Sequence, residues 1–205
     1  HPLKYKWNKK FDYNWNTKSD QENWVLPKVL KDQASLIPNK DFLQFSYDKA
    51  LTFSEVNKLA NQIANSLNKL GIHKTDKVSV YMPNSLEICL AWFGILKNGS
   101  VMVPINTAYV MDFLQYIIES SDSKIIIIAE EYLERLANIQ DRIPNIEKVI
   151  VWTRNNKDSF ESNGYSKTQL ISWNDFVSKG SDNEPEVEIT HMDHARLMYT
   201  SGTTG

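Results

Sequence analysis

The sequence predicts an α/β fold: a mainly parallel sheet covered by helices. Three observations carry this reading. Short apolar, β-branched runs alternate with helical stretches between residues 77 and 152, with brief connections between them. The run KIIIIA at 124–129 is so apolar that both faces of its strand must be covered, which places residues 125–129 on a central strand. The stretch LTFSEVNKLANQIANSLNKLG at 51–71 gathers Val56, Leu59, Ala60, Ile63, Ala64, Leu67 and Leu70 on one stripe. Crossovers between parallel strands are right-handed by default.

Each element has its own local signal. Residues 1–24 hold Tyr5, Trp7, Phe11, Tyr13, Trp15 and Trp24 without a clear period, and read as an N-terminal arm packed over a domain surface. NWVLPKVLKDQASLIP reads as a first helix ending before Pro38, because a residue preceding proline avoids helical geometry. DFLQFSY reads as a short strand. In the 51–71 helix, Thr52 and Glu55 have capping-box spacing and Gly71 suits the C-terminal cap. KVSVYM follows as a strand, then SLEICLAWFGILKNG as a buried helix capped near Gly99, then SVMVP as a strand. MDFLQYIIESS reads as a helix, KIIIIA as the central strand, EYLERLANIQ as a helix and KVIVW as a strand. Residues 153–169 are polar and loop-like. LISWNDFVSKG suggests a short strand and a short helix, SDNEPEVEIT an acidic linker, and HARLMY a returning strand. Repeats and low-complexity tracts are absent.

Composition excludes several classes. The 205 residues are 41% hydrophobic and 23% charged, as in soluble globular domains. The formal net charge of -2 gives no electrostatic case for nucleic acid. The longest apolar run, LEICLAWFGIL, falls short of the roughly 20 residues that a membrane span needs and contains Glu87. No signal-peptide pattern opens the chain. The single cysteine, Cys89, rules out an intrachain disulfide and fits a reducing cytoplasm; its apolar setting suggests a buried, inert thiol. The first residue is His1 rather than Met, which suggests part of a longer protein.

The last residues, YTSGTTG, raise the question of function. They follow an apolar strand, and in sheets of this kind ligands bind beyond the carboxyl ends of strands. Gly202 and Gly205 permit tight turns that expose backbone N–H groups, and such groups form anion-binding nests. Thr200, Ser201, Thr203 and Thr204 add hydroxyl donors. The stretch reads as a phosphate cradle or as a Ser/Thr/Gly linker, and the strand before it favours the cradle. Neither G-x-x-x-x-G-K-[ST] nor G-x-G-x-x-G occurs in the chain. The HMDHA stretch, with His191, Asp193 and His194, lacks further Cys or His ligands nearby and reads as a polar turn, so no metal site is assigned. Glu130 and Glu131 stand at a helix start, where they suit the dipole.

LMYTSGTTG resembles the phosphate-loop motif of the adenylate-forming ligases, the group of acyl-CoA synthetases, luciferases and peptide-synthetase adenylation domains. In that family the motif continues with Pro-Lys-Gly. LTFSEVNKLANQIANSLNKLGIHKTDKVSVYMPNSLE is similar to the family's opening helix and strand, including an Asn-rich helix face. Thr75-Asp76 stands where Gly-Asp is usual. FGILKNGSVMVPIN resembles a second landmark, with Ser100 in place of the usual Ala. Asp193 in DHARLMYTSGTTG falls where the family often has one. The resemblance runs over residues 24–205.

What the resemblance implies is a two-step ligase. A carboxylate attacks the α-phosphate of ATP to give an acyl-adenylate and pyrophosphate, and the thiol of coenzyme A then attacks the activated carbonyl. Thr200, Ser201, Gly202, Thr203, Thr204 and Gly205 would form the phosphate loop, with Mg²⁺ on the β- and γ-phosphates. Residues 25–205 would be the first part of the large N-terminal AMP-binding domain, cut within the loop. Catalytic residues are expected beyond Gly205, and the chain alone is expected to be inactive. The expected partners are a small carboxylate, ATP and coenzyme A, with self-association through apolar surface left open. The branch that fits is an acyl-CoA synthetase of the fatty-acid or crotonobetaine/carnitine-CoA ligase kind. An arm before the first motif fits a peptide-synthetase domain less well. The alternative is a non-catalytic, flavodoxin-like module that binds phosphate or a nucleotide.

Overall fold

The computed structural model describes residues 24–46, 49–155 and 157–200. The elements are α1 (Leu26–Leu36), β1 (Asp41–Leu43), β2 (Leu51–Thr52), α2 (Phe53–Lys69), β3 (Lys77–Tyr81), α3 (Leu86–Asn98), β4 (Val101–Pro104), α4 (Met111–Ser120), β5 (Ser123–Ala129), α5 (Leu133–Ala137), β6 (Lys148–Trp152), β7 (Leu170–Ser172) and α6 (Trp173–Ser178). β3 to β7 form one parallel sheet in the order β4-β3-β5-β6-β7.

β5 is central, as its composition requires. Ile125, Ile126, Ile127 and Ile128 are each at most 1% exposed. Side chains alternate across a strand, so the run feeds two cores. Ile125, Ile127 and Ala129 join Val78, Val80 and Ile150 beneath α2, α3 and α6. Ile126 and Ile128 join Tyr81, Val103, Val149 and Val151 beneath α4 and α5. The sheet is therefore covered on both faces.

Caps explain the helix ends. Thr52 Oγ1 accepts from the Glu55 N–H at 3.3 Å and Glu55 Oε2 accepts from the Thr52 N–H at 2.8 Å, closing the expected capping box on α2. Gly71 and Gly99 follow α2 and α3 with φ of 83° and 77°, a left-handed conformation that a side chain would strain. Ser85 caps α3 by accepting from the Ile88 N–H.

Several expectations need correction. DFLQFSY contributes only Asp41–Leu43, paired antiparallel with Leu51–Thr52 in a separate two-stranded hairpin; Ser46, with φ 53°, turns the chain away. EYLERLANIQ is not one helix. A 3₁₀ turn at Glu130–Tyr132 precedes the short α5, no side chain caps the start of either, and a second 3₁₀ turn follows at Gln140–Arg142. Cys89 is half-buried rather than buried, because α3 is fully enclosed only over its second half. The acidic stretch 181–190 is no free linker. It has no regular secondary structure but is strapped across α2 and α3. HARLMY pairs with the sheet through one rung only, Met102 with Arg196.

Candidate functional site

The segment leading into the hydroxyl-rich tail lies beside β4. The Met102 N–H donates to the Ala195 carbonyl at 3.2 Å, and the Leu197 N–H donates to the Met102 carbonyl at 2.9 Å. The pairing is parallel. The chain therefore runs with β4 toward the carboxyl edge of the sheet, where α/β proteins bind ligands. The Arg196 guanidinium lies 5.9 Å from the centre of the Trp92 ring. Tyr199 folds onto α4: its hydroxyl accepts from Ser120 Oγ at 2.8 Å, and its ring meets Tyr116 edge-on at 6.1 Å. Thr200 emerges exposed past that anchor. Ser201, Gly202, Thr203, Thr204 and Gly205 lie outside the described residues.

The carboxyl edge of the sheet is tied down from within. Strand order reverses at β3, with β4 on one side of it and β5 on the other, which opens a crevice beyond the strand ends. Tyr81, the last residue of β3, donates its hydroxyl to the Tyr109 carbonyl at 2.6 Å. Arg135 donates to the Tyr81 hydroxyl at 2.8 Å and to the Thr107 carbonyl at 2.6 Å. Its guanidinium sits 4.6 Å from the Tyr132 ring centre. Burial raises the Tyr81 phenol, with Arg135 opposing, so Tyr81 acts as a neutral donor that fixes the 105–110 loop.

The approach to the tail is held by side chains to which the sequence alone assigned no role. Asn57, Asn61 and Asn65 stand one turn apart on α2. Asn57 Nδ2 donates to Glu184 Oε1 at 2.7 Å, Asn61 Nδ2 to the Asp182 carbonyl at 2.8 Å, and Asn65 Nδ2 to the Ser181 and Asn183 carbonyls at 2.7 and 2.9 Å. From α3, Lys97 Nζ pairs with Glu184 Oε2 at 2.7 Å, the lysine side chain being 2% exposed. Burial pulls the Lys97 ammonium below its usual range against the pull of Glu184. Burial also pushes Glu184 up, but the hydrogen bonds from Lys97 and Asn57 outweigh it and hold the carboxyl below its usual range. Lys74 Nζ donates to the Glu188 carbonyl at 2.7 Å and pairs with Asp193 at 2.9 Å. Asp193 Oδ2 also accepts from the Thr190 N–H at 2.7 Å, so HMDHA is a capped turn. The sequence did carry a signal: a lysine inside an apolar helix, and asparagines at four-residue intervals on another.

Other chemistry is sparse. Burial raises the Cys89 thiol, and Glu87 adds to the shift, so the thiolate form is suppressed. Among the described residues no three His, Cys, Asp or Glu side chains gather as a metal site would require. Two cavities, of about 180 and 280 Å³, lie at the opposite, amino-terminal end of β4, between α1, the end of α3 and the strap. Both fall below the roughly 300–1,000 Å³ common for ligand clefts. No described helix is long and apolar enough to cross a membrane.

Comparison with known proteins follows the same region. A family model described as AMP-binding enzyme matches residues 30–205. The chain is 32% identical over 178 residues to the long-chain-fatty-acid–CoA ligase FadD13 of Mycobacterium tuberculosis, covering 86% of this chain and 32% of that protein. It is 34% identical over 155 residues to a medium/long-chain-fatty-acid–CoA/3-oxocholest-4-en-26-oate–CoA ligase of Mycolicibacterium smegmatis, covering 76% of this chain and 27% of that protein. A crystal structure of the anthranilate CoA ligase AuaEII in complex with anthranoyl-AMP superimposes with a TM-score of 0.75 at 27% identity, covering 87% of this chain and 32% of that one. The chain thus spans about a third of the length of the curated relatives it matches.

Proposed function

The chain belongs to the AMP-binding enzyme family, and from that premise we propose that it is the N-terminal portion of an ATP-dependent acyl-CoA synthetase of the fatty-acid type. In this reading residues 25–205 are the first part of the large nucleotide-binding domain. The observation that carries the reading is the family-model match over residues 30–205, which takes in the hydroxyl-rich stretch from Thr200 to Gly205. The match to the family model extends through residue 205, which argues against a stand-alone flavodoxin-like module.

The chemistry follows from what such a loop offers. Attack of a carboxylate oxygen on the α-phosphorus forms the acyl–phosphate bond and expels pyrophosphate. N–H and O–H donors at residues 200–205 would stabilise the charge that builds on the phosphate oxygens. Mg²⁺ carried by the nucleotide supplies charge neutralisation on the phosphates. We assign no general base, adenine or ribose contact or acyl pocket to the described residues. Coenzyme A is the acceptor thiol, by analogy with the relatives' names. A single cysteine in 205 residues leaves no intrachain disulfide and suits a reducing, cytoplasmic setting.

Pyrophosphate exchange into ATP tests the proposal on the full-length protein that carries this chain. Exchange should depend on a medium- or long-chain fatty acid, with crotonobetaine and carnitine as competing candidates in parallel arms. Thr203→Ala with Thr204→Ala should lower it about 100-fold, since one lost oxyanion donor costs about 3 kcal/mol. No acid-dependent exchange, or undiminished exchange in the double variant, would reject the reading.

A further inference from the structure

We propose that Lys97, Glu184 and the asparagine row of α2 are positioning residues for the phosphate loop, acting through the 181–193 strap. This rests on reading residues 200–205 as that loop. The strap is the covalent link from α6, the last helix among the described residues, to the tail. Its own backbone offers little: residues 181–190 form neither helix nor strand. The stub that follows holds to β4 by two backbone hydrogen bonds, both at Met102. Such a short edge pairing does not fix its own register.

Register is set instead by side chains reaching out from α2, α3 and the turn before β3. They grip the strap at successive points: Asn65 and Asn61 at residues 181–183, Asn57 and Lys97 at Glu184, and Lys74 at Glu188 and Asp193. The grip at Glu184 is the stiffest. Its partner ammonium is buried, and a buried charge that loses its partner is strongly destabilised. Glu184 cannot slide along α3 without stranding Lys97, so this pair selects one position of the strap over neighbouring ones. At the start of the strap, a side chain on Gly180 would overlap the Gln62 carbonyl of α2, which brings the chain close enough for the asparagines to reach it. The consequence is preorganisation. A strap in one register presents Thr200 at one place beside its anchor on α4, whereas a loosened strap must be ordered when nucleotide binds. The apparent nucleotide affinity then falls by the fraction of molecules in register.

The test uses the full-length protein with Glu184→Ala and, separately, Lys97→Met. The glutamate is partly exposed, so its removal leaves both cores intact and serves if the lysine variant misfolds. Two measurements are paired. Amide hydrogen exchange over residues 181–197 should quicken about tenfold or more, while residues 125–128 of β5 stay unchanged. The KM for ATP should rise severalfold, while the KM for the carboxylate and kcat at saturating ATP hold. Unchanged exchange in the strap would overturn the proposal, as would a loosened strap with an unaltered KM for ATP. A Thr203→Ala, Thr204→Ala variant is run beside them. If it leaves the KM for ATP and pyrophosphate exchange untouched, the loop reading fails and takes the positioning role with it. If it depresses them while the strap variants do not, only the positioning role fails.

Discussion

Truncating Ile127 and Ile126 to alanine, one at a time, probes the architecture from its centre. The two side chains are fully buried, on opposite faces of the same strand. Ile127 stands between Val80 of β3 and Ile150 of β6 and faces the core under α2 and α3. Ile126 stands between Ser79 and Val149 and faces the core under α4 and α5. Both neighbouring strands are pinned by parallel pairing, so the backbone cannot collapse into the space left behind. Each substitution should therefore cost about 3–5 kcal/mol, the upper part of the range for Ile→Ala in cores. That is a large share of the roughly 5–15 kcal/mol typical of a whole domain. The assay is urea unfolding of the 205-residue chain followed by far-ultraviolet circular dichroism, with the slope m held fixed as the check that only stability changed. Near-equal costs at both sites are the signature of a sheet covered on two faces. A loss below about 1 kcal/mol at either site would mean that one face is open or able to relax, and the central placement of β5 would be refuted.

Three further outcomes are expected. Thr52→Ala should cost about 1 kcal/mol through loss of the α2 cap; an unchanged unfolding midpoint would contradict the capping box. Glu55 is held below its usual range by the Thr52 backbone and side-chain hydrogen bonds, so its contribution is present above the unfolded carboxyl's pKa and is lost as pH falls through the folded value. Glu55→Ala should accordingly destabilise at neutral pH and lose its effect in acid; a pH-independent difference would refute this. The 205-residue chain should bind ATP weakly and should self-associate through the exposed Met111, Phe113 and Tyr116 of α4. Calorimetry giving micromolar affinity would disprove the first, and sedimentation showing Phe113→Lys to be as associated as the parent chain would disprove the second.

Legibility from sequence followed the range of the interactions involved. β5 was readable because four successive isoleucines admit one environment, and α2 because its stripe, its cap and its terminal glycine agree with one another. Short-range patterns failed where a distant partner decides the structure. DFLQFSY has strand composition along its length, yet among its described residues the strand covers Asp41–Leu43, paired with Leu51–Thr52. The acidic stretch 181–190 reads as a linker because its composition gives no period, but its conformation is dictated by residues more than a hundred positions earlier, such as Asn57 and Asn61. The same asparagines had been visible as a polar face on α2; what could not be read was what they face. The hydroxyl-rich tail is the reverse case. Its residue types announce a chemistry at once, whereas the path of the chain up to Thr200 is held by a single rung at Met102 and, further back, by a lysine buried in α3. A site of this kind is recognised locally but built at long range. The residues that hold the approach to it are therefore polar groups in apolar company, Lys97 first among them, rather than the hydroxyls that suggest its chemistry.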